Sequence, residues 1–435
     1  MQTDHSQSRR QFLKSSTALA SFFIVPRYVL GGPGYLAPSD QISLGFIGLG
    51  RQSGGLRRNF QQTGQVRIPV ACDVDRTKMV KFITDVKAAA GVTPAAGTNN
   101  TAENCKPYDD FRAVLDRSDV DGVVIVAPDH WHAAIAVRAA EAGKDIYCEK
   151  PLSLTVAEGR AMVKATRKYK RVFQTGSMQR SWKEFRQAVE LVRSGAIGEV
   201  KTVKVNVGGP PEAWNLTAET LPNGLHWDMW LGPNPVDRPY NSQLAPPLGA
   251  DYWARWRNIK EFGGGGMTDW GAHMFDIAQW GLDMDKSGPV SLTPPSDNSG
   301  KGLVYTYANG VKMIHEPVQG GQFCHFIGTE GEVKVGRGSL ITTPASLKDK
   351  VIAESDRKIY HSENHYVDFL NAMRSRKPPV CDVEVGHRTA TVCNIGNIAY
   401  ELKRPLRWDP KKEKFVDDDE ANKWLSRPLK KEWKV

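Results

Sequence analysis

No C-x-x-C pair occurs in these 435 residues, and the six cysteines (Cys72, Cys105, Cys148, Cys324, Cys381, Cys393) are scattered. That argues against a zinc module and against a disulfide-stapled scaffold. Cys72 and Cys148 fall inside apolar runs of strand length, where a free thiol behaves as a small buried hydrophobe. A long apolar run is also missing. The segment from Ser15 to Val25 is short and is closed by Pro26 and Arg27, so no stable membrane span is expected. The formal charge is +10, from 58 basic and 48 acidic side chains. The basic residues are dispersed, apart from Lys430, Lys431 and Lys434. No Arg/Lys stripe with stacking aromatics, zinc finger or helix-turn-helix accompanies the charge, so nucleic acid is not an expected partner. His130 and His132 form an H-x-H without a third ligand at metal-like spacing, and no metal is expected.

What is present begins at Ser8-Arg9-Arg10-Gln11-Phe12-Leu13-Lys14, which matches the twin-arginine export pattern S/T-R-R-x-F-L-K. The expectation is a signal peptide and linker over 1–38, the twin-arginine machinery as a partner, and a periplasmic destination. Gly31-Gly32-Pro33-Gly34 reads as the flexible linker. The apolar, β-branched run Ile42–Ile47 then ends in Gly48-Leu49-Gly50-Arg51-Gln52-Ser53. This is a G-x-G-x-x-S variant of the dinucleotide fingerprint, placed between a strand and a helix. The first glycine allows the tight turn, the second lets the backbone approach a pyrophosphate, and the helix start favours its charge. A second strand, Val66 to Cys72, ends at Asp73, where a carboxylate would accept ribose hydroxyls. Asp73 disfavours a 2′-phosphate, so NAD is preferred; Arg51 and Arg76 keep NADP open.

An α/β rhythm follows. Helices are expected at Lys78–Ala90, Phe111–Leu115, Ala133–Ala142 and Ala157–Lys168, and strands at Asp121–Ala127, Asp145–Glu149 and Val172–Ser177. Thr93 to Cys105 reads as a polar insertion. Near-continuous apolar strands with helical crossovers predict a doubly wound parallel sheet over 39–178, with ligands at the strands' carboxyl ends. Two polar clusters stand there: Pro128-Asp129-His130-Trp131-His132 and Glu149-Lys150-Pro151.

The fingerprint, Ala127-Pro128-x-x-x-His132, Glu149-Lys150-Pro151 and the later Gly263-Gly264-Gly265-Gly266-Met267-Thr268-Asp269-Trp270-Gly271-Ala272-His273 together resemble the glucose–fructose oxidoreductase and inositol dehydrogenase family (Gfo/Idh/MocA). The tail from His365 to Asp409 resembles that family's closing helices. The resemblance implies an α+β second domain over 179–435, built on a large open, mostly antiparallel sheet that serves substrate binding and homo-oligomer formation. It also implies that Lys150 contacts the reacting hydroxyl and that His273 of the D-x-x-x-H pair accepts the proton. Spacing adds that a helical Asp269 at i would share a face with His273 at i+4 and fix its ring. An ammonium at Lys150 would stabilise a developing alkoxide while hydride leaves for nicotinamide.

The expected cofactor contacts are Gly48, Gly50, Arg51, Gln52, Asp73, Ala127, Pro128, His132 and Glu149. Expected substrate contacts are Gln179, Arg180, Trp227, Arg255 and Arg257, the last three in a Trp- and Arg-rich insertion from Gly208 to Glu261 that suits sugar faces and hydroxyls. These residues describe an oxidoreductase acting on a sugar, polyol or glycoside carbon. A redox-neutral NAD-dependent glycosidase and a catalytically silent sugar-binding protein remain open beside it. Export to a compartment poor in free dinucleotide predicts a tightly bound cofactor.

Overall fold

The computed structural model describes residues 40–91, 105–297, 300, 302–316, 320–353, 356 and 359–435. The twin-arginine stretch, its linker and nearly all of the polar insertion after residue 92 lie outside them. Six strands form a parallel sheet: β1 (Ile42–Ile47), β2 (Val66–Cys72), β3 (Lys106–Tyr108), β4 (Gly122–Ile125), β5 (Asp145–Cys148) and β6 (Phe173–Thr175), in the order β3-β2-β1-β4-β5-β6. The crossovers are α1 (Arg51–Gln62), α2 (Arg76–Gly91), α3 (Phe111–Leu115), α4 (Asp129–Glu141) and α5 (Val156–Lys168). Leu44 and Phe46 pack on one face with Leu56 and Phe60 of α1 and Phe82 of α2. Val123 and Ile125 pack on the other with α3, α4 and α5. Burial from both sides is why β1, β4 and β5 read as unbroken apolar runs. The strand order reverses between β1 and β4, which places a ligand crevice outside their carboxyl ends.

Most element positions follow the sequence reading, with two differences. Edge strand β3 is three residues long and largely exposed, too short to carry a period. Helix α4 starts at Asp129, before the expected Ala133, with Pro128 as its cap. Its polar first turn, Asp129 to His132, is buried under later parts of the chain, so polarity there did not mean solvent.

The second domain comprises α6 (Lys183–Arg193), β7 (Val200–Asn206), α7 (Trp227–Leu231), α8 (Gly266–Asp269), α9 (Gly271–Gly281), β8 (Ser291–Thr293), β9 (Val304–Thr306), β10 (Lys312–Glu316), β11 (Phe323–Gly328), β12 (Glu332–Gly336), β13 (Ser339–Thr343), α10 (His365–Ser375), α11 (Val383–Leu402), β14 (Leu406–Asp409), β15 (Lys414–Phe415) and α12 (Asp419–Lys423). Its nine strands run β13-β12-β11-β7-β10-β9-β8-β14-β15. Every pairing is antiparallel except β7 with β10. Alternate residues such as Val203, Val205, Phe326, Val333 and Val335 turn inward onto α6, α9 and α11. The expected large, mostly antiparallel sheet is therefore present.

Two segments cross back to the first domain. Helix α10 lays Tyr366, Phe369 and Met373 into the core of Phe46, Phe60 and Tyr147. Near the end of the sequence, Trp433 packs against Phe111 and Trp131 and is flanked by the guanidinium groups of Arg112 and Arg138. The insertion builds a small core of its own, including Leu225, Trp230, Leu231, Leu244 and Phe262. That core docks on α4 through His130 Nε2 at 2.9 Å from the Trp230 carbonyl and through Trp131 Nε1, which donates to the Met229 carbonyl at 3.0 Å. No helix among the described residues is long and apolar enough to cross a membrane.

Candidate active site

The site begins at the β1–α1 turn. Gly48 has φ +86°, and a Cβ there would lie 2.6 Å from the Ala127 backbone nitrogen, so only glycine lets the turn touch the end of β4. Gly50 caps α1 with no side chain over it, and a Cβ there would meet nothing within 4 Å. The start of this twelve-residue helix is thus capped by no side chain, which suits a phosphate. Asp73, at the end of β2, accepts from Leu49 N–H at 2.5 Å and Asp75 N–H at 2.8 Å. Burial raises its pKa from the ordinary value. A cavity of about 410 Å³ opens here, lined by Gly48, Gly50, Asp73, Ala127 and Pro128 on the Rossmann side. Arg51 and Gln52 line it as well. Glycine cradle, free helix start and acidic strand end together fit a dinucleotide.

Residues 244–250, 252–254, 256 and 257 of the insertion form the opposite wall. Trp253 stands between Arg51 and Arg257, each guanidinium 4.8 Å from the ring centroid, and Arg51 also donates to the Asp251 carbonyl at 2.9 Å. Arg257 continues inward, with Nε 3.7 Å from Asp269 Oδ1. Behind Arg257, off the lining of the cavity itself, Lys150 Nζ donates to Asp269 Oδ1 at 2.6 Å and to the Asp269 carbonyl at 2.9 Å. Burial would raise the Asp269 pKa, but the cations of Lys150 and Arg257 outweigh it and hold it low.

His273 is buried beside this pair. Its Nε2 receives Arg337 Nη2 at 3.2 Å, while Nδ1 has no hydrogen-bond partner. Burial first, then Lys150 and Arg337, push its pKa well below the usual histidine range, so the ring is neutral. Two more buried carboxyls adjoin the cluster. Burial and the Asp269 charge raise Asp129 to about 8, and burial raises Glu149 to about 7. Asp129 Oδ1 and Glu149 Oε1 both lack hydrogen-bond partners.

Several expectations need correction. Asp269 does not orient His273. The helical ladder breaks at Trp270, where α9 restarts, and the Asp269 carbonyl that would bond His273 N–H in a continuous helix accepts from Lys150 instead. His132 does not line the cavity. Its ring nitrogens lie 2.7 Å from the Pro151 carbonyl and 2.9 Å from the Ala127 carbonyl, tying together the loops that follow β4 and β5. Glu149 is buried and, like Lys150, Asp269 and His273, is not part of the cavity lining. Arg180 is not a substrate contact, because its buried guanidinium is saturated by Asp276 and Asp285 at 2.7–2.9 Å. Trp227 stacks on Trp230 and donates to the Arg238 carbonyl, as core. Arg255 is held by Glu212 and Asn215 away from the cavity. Gln179 and Arg257 do reach the cluster: Gln179 Oε1 accepts from Arg337 at 3.3 Å.

Arg337 itself escaped the sequence reading. With Gly338 it forms the two-residue loop of the β12–β13 hairpin, and an R-G turn looks like any other hairpin loop.

Comparison with known proteins agrees with this geometry. Residues 42–177 match the Gfo/Idh/MocA description "Oxidoreductase family, NAD-binding Rossmann fold", and residues 190–435 match "Oxidoreductase family, C-terminal alpha/beta domain". A "Glycosyl hydrolase family 109 protein" of Shewanella pealeana is 30% identical over 209 residues, 44% of this chain and 44% of that one. An "Inositol 2-dehydrogenase" of Salmonella paratyphi B is 32% identical over 160 residues, 36% of this chain and 43% of that one. The likeness thus spans less than half the length of these curated relatives. Among solved structures, the WlbA dehydrogenase of Bordetella pertussis, in complex with NADH and UDP-GlcNAcA, has a TM-score of 0.59 at 17% identity, over 85% of this chain and 98% of that one. The aldose-aldose oxidoreductase of Caulobacter crescentus has 0.56 at 18%, over 84% and 99%. The chain belongs to the Gfo/Idh/MocA oxidoreductase family, and its first domain is that family's NAD-binding Rossmann fold.

Proposed function

We propose that this enzyme moves a hydride between a carbon of a sugar, polyol or glycoside and NAD bound in the cleft. The observation that carries the reading is the Lys150–Asp269 pair with neutral His273 beside it, joined through Arg257 to the cavity that starts on the glycine turn. When bound, the dinucleotide supplies the hydride acceptor. Lys150 commits two of its three ammonium protons to Asp269, leaving one for a substrate oxygen as that oxygen gains negative charge. His273, uncharged, offers a lone pair for the hydroxyl proton. The histidine must be neutral for this, and its surroundings keep it so.

The relative named as a family 109 glycosyl hydrolase favours a second reading on the same residues. There the oxidised sugar loses its glycosidic substituent and the hydride returns, with no net redox change. We further propose that the enzyme is exported, on the strength of Ser8 to Lys14, and retains its cofactor through turnover.

Lys150→Ala and His273→Ala should each lower kcat by ~10²–10⁴ while circular dichroism and NAD binding persist. Near-normal turnover in either variant removes that residue from the chemistry. Accumulation of NADH with a sugar panel supports net oxidation; release of free sugar from a glycoside without NADH supports the second reading.

A further inference from the structure

Hydride transfer uses Lys150 and His273 and leaves Arg337 unexplained. Its guanidinium carbon lies 4.6 Å from the Trp270 ring centroid and 5.3 Å from that of Trp182. With both rings in cation–π contact, the N–H edge of the fork is what remains for hydrogen bonds. That edge meets only neutral atoms at long range: Gln179 Oε1 at 3.3 and 3.4 Å and His273 Nε2 at 3.2 Å. No ion pair to Arg337 is found among the described residues. Arg180, close by in sequence to Gln179, shows the contrast, since two carboxylates saturate it.

Charge makes the same point. Lys150, Arg257 and Arg337 surround one ionised carboxylate, Asp269, on whose charge all three act. Burial raises the neighbouring Asp129 to about 8 and Glu149 to about 7, which weakens their negative charge beside the three cations. Three cations thus act on the one carboxylate of Asp269, and the Arg337 fork lies beside His273, the proton acceptor.

We propose that the substrate is an anionic sugar whose oxyanion, a ring carboxylate as in a hexuronate, is held by Arg337. This rests on the hydride-transfer reading only for where the substrate sits. A planar carboxylate takes the place of Gln179 Oε1 on the fork and makes two charge-assisted hydrogen bonds. Drawing the guanidinium toward the anion also releases His273 Nε2, so the proton acceptor becomes free when the correct substrate is seated.

The test is calorimetric titration of the NAD-loaded protein with hexuronates, hexose 6-phosphates and the parent neutral hexoses, in wild type and in Arg337→Met. The expected result is hexuronate binding ~10–100-fold tighter than the parent hexose, with the ratio falling toward one in the variant. Arg337→Lys, which keeps the charge and loses the fork, should fall between. Tighter binding of the 6-phosphate, lost in the same variant, supports the oxyanion site and names phosphate as its ligand. Equal binding of neutral and anionic sugars, no binding of any anionic sugar, or a preference that survives in Arg337→Met overturns the proposal. Reduction of NAD by neutral sugars alone, with no anionic preference, overturns it and leaves hydride transfer standing. Arg337-dependent hexuronate binding without any hydride exchange does the reverse.

Discussion

At His273, burial and the cations of Lys150 and Arg337 act in one direction, toward the neutral ring. The base form must predominate for proton abstraction, and a lowered pKa keeps it predominant as pH falls. The acid limb of kcat/KM should therefore lie below about pH 6.5, the ordinary histidine value. A limb at or above that value, measured on the true substrate, would remove His273 as the acceptor. Arg180 shows the opposite use of charge. Asp276, which also accepts from Thr389, is fully buried with it, so Asp276→Ala strands a guanidinium in the core with Asp285 as its one remaining carboxylate. Loss of about 3–5 kcal/mol in denaturant unfolding is expected, and less than 1 kcal/mol would show that the pair relaxes into solvent. Lys150, Asp269 and His273 were legible because short motifs carry them. Their pairing was not: i, i+4 spacing implies a shared face only while the helix continues, and this one stops at Trp270. Arg180 misled because charge after a strand end looks the same whether it meets ligand or two distant aspartates.

Among the elements, the glycine turn was readable and the wall facing it was not. Strand, turn and helix are contiguous in sequence, whereas residues 244–250, 252–254, 256 and 257 reach the cleft only through the insertion's separate core. The Trp- and Arg-rich composition was visible, but composition does not say which ring packs inward, as Trp227 does, and which stays half-exposed, as Trp253 does. Trp253 links the two walls through Arg51, while its contact with Arg257 stays within the insertion. If the cofactor is retained through turnover, this stack helps to close the cleft. Trp253→Ala should then speed release of bound dinucleotide by roughly 2–5-fold, from the one bridging cation–π contact worth about 0.5–1 kcal/mol. Release can be followed by dialysis and absorbance. Wild-type protein that loses all activity on dialysis and regains it with added NAD would sink retention; an unchanged release rate in the variant would free Trp253 of the role.

For the molecule as a whole, the order of α and β elements announced both sheets. The dependence of the first domain on the last part of the chain was hidden, because apolar periodicity shows that a helix buries a face but not which core receives it. Tyr366, Phe369 and Met373 lie in one Rossmann core and Val383, Ala390 and Trp433 in the other. A fragment ending after β6 should thus lack fixed tertiary structure, with poor amide dispersion in NMR and no cooperative melt; a sharp melt and NAD binding by that fragment would contradict this. Trp433 has a consequence for how the protein is made. At ~5–20 residues per second, a ribosome that has finished β6 needs on the order of tens of seconds to reach that tryptophan. Until then the nascent sheet shows the bare Phe111 and Trp131 surfaces to chaperones and proteases, and ribosomes stalled before Trp433 would shed chains in which the Rossmann domain, made before the second, is the unfinished one.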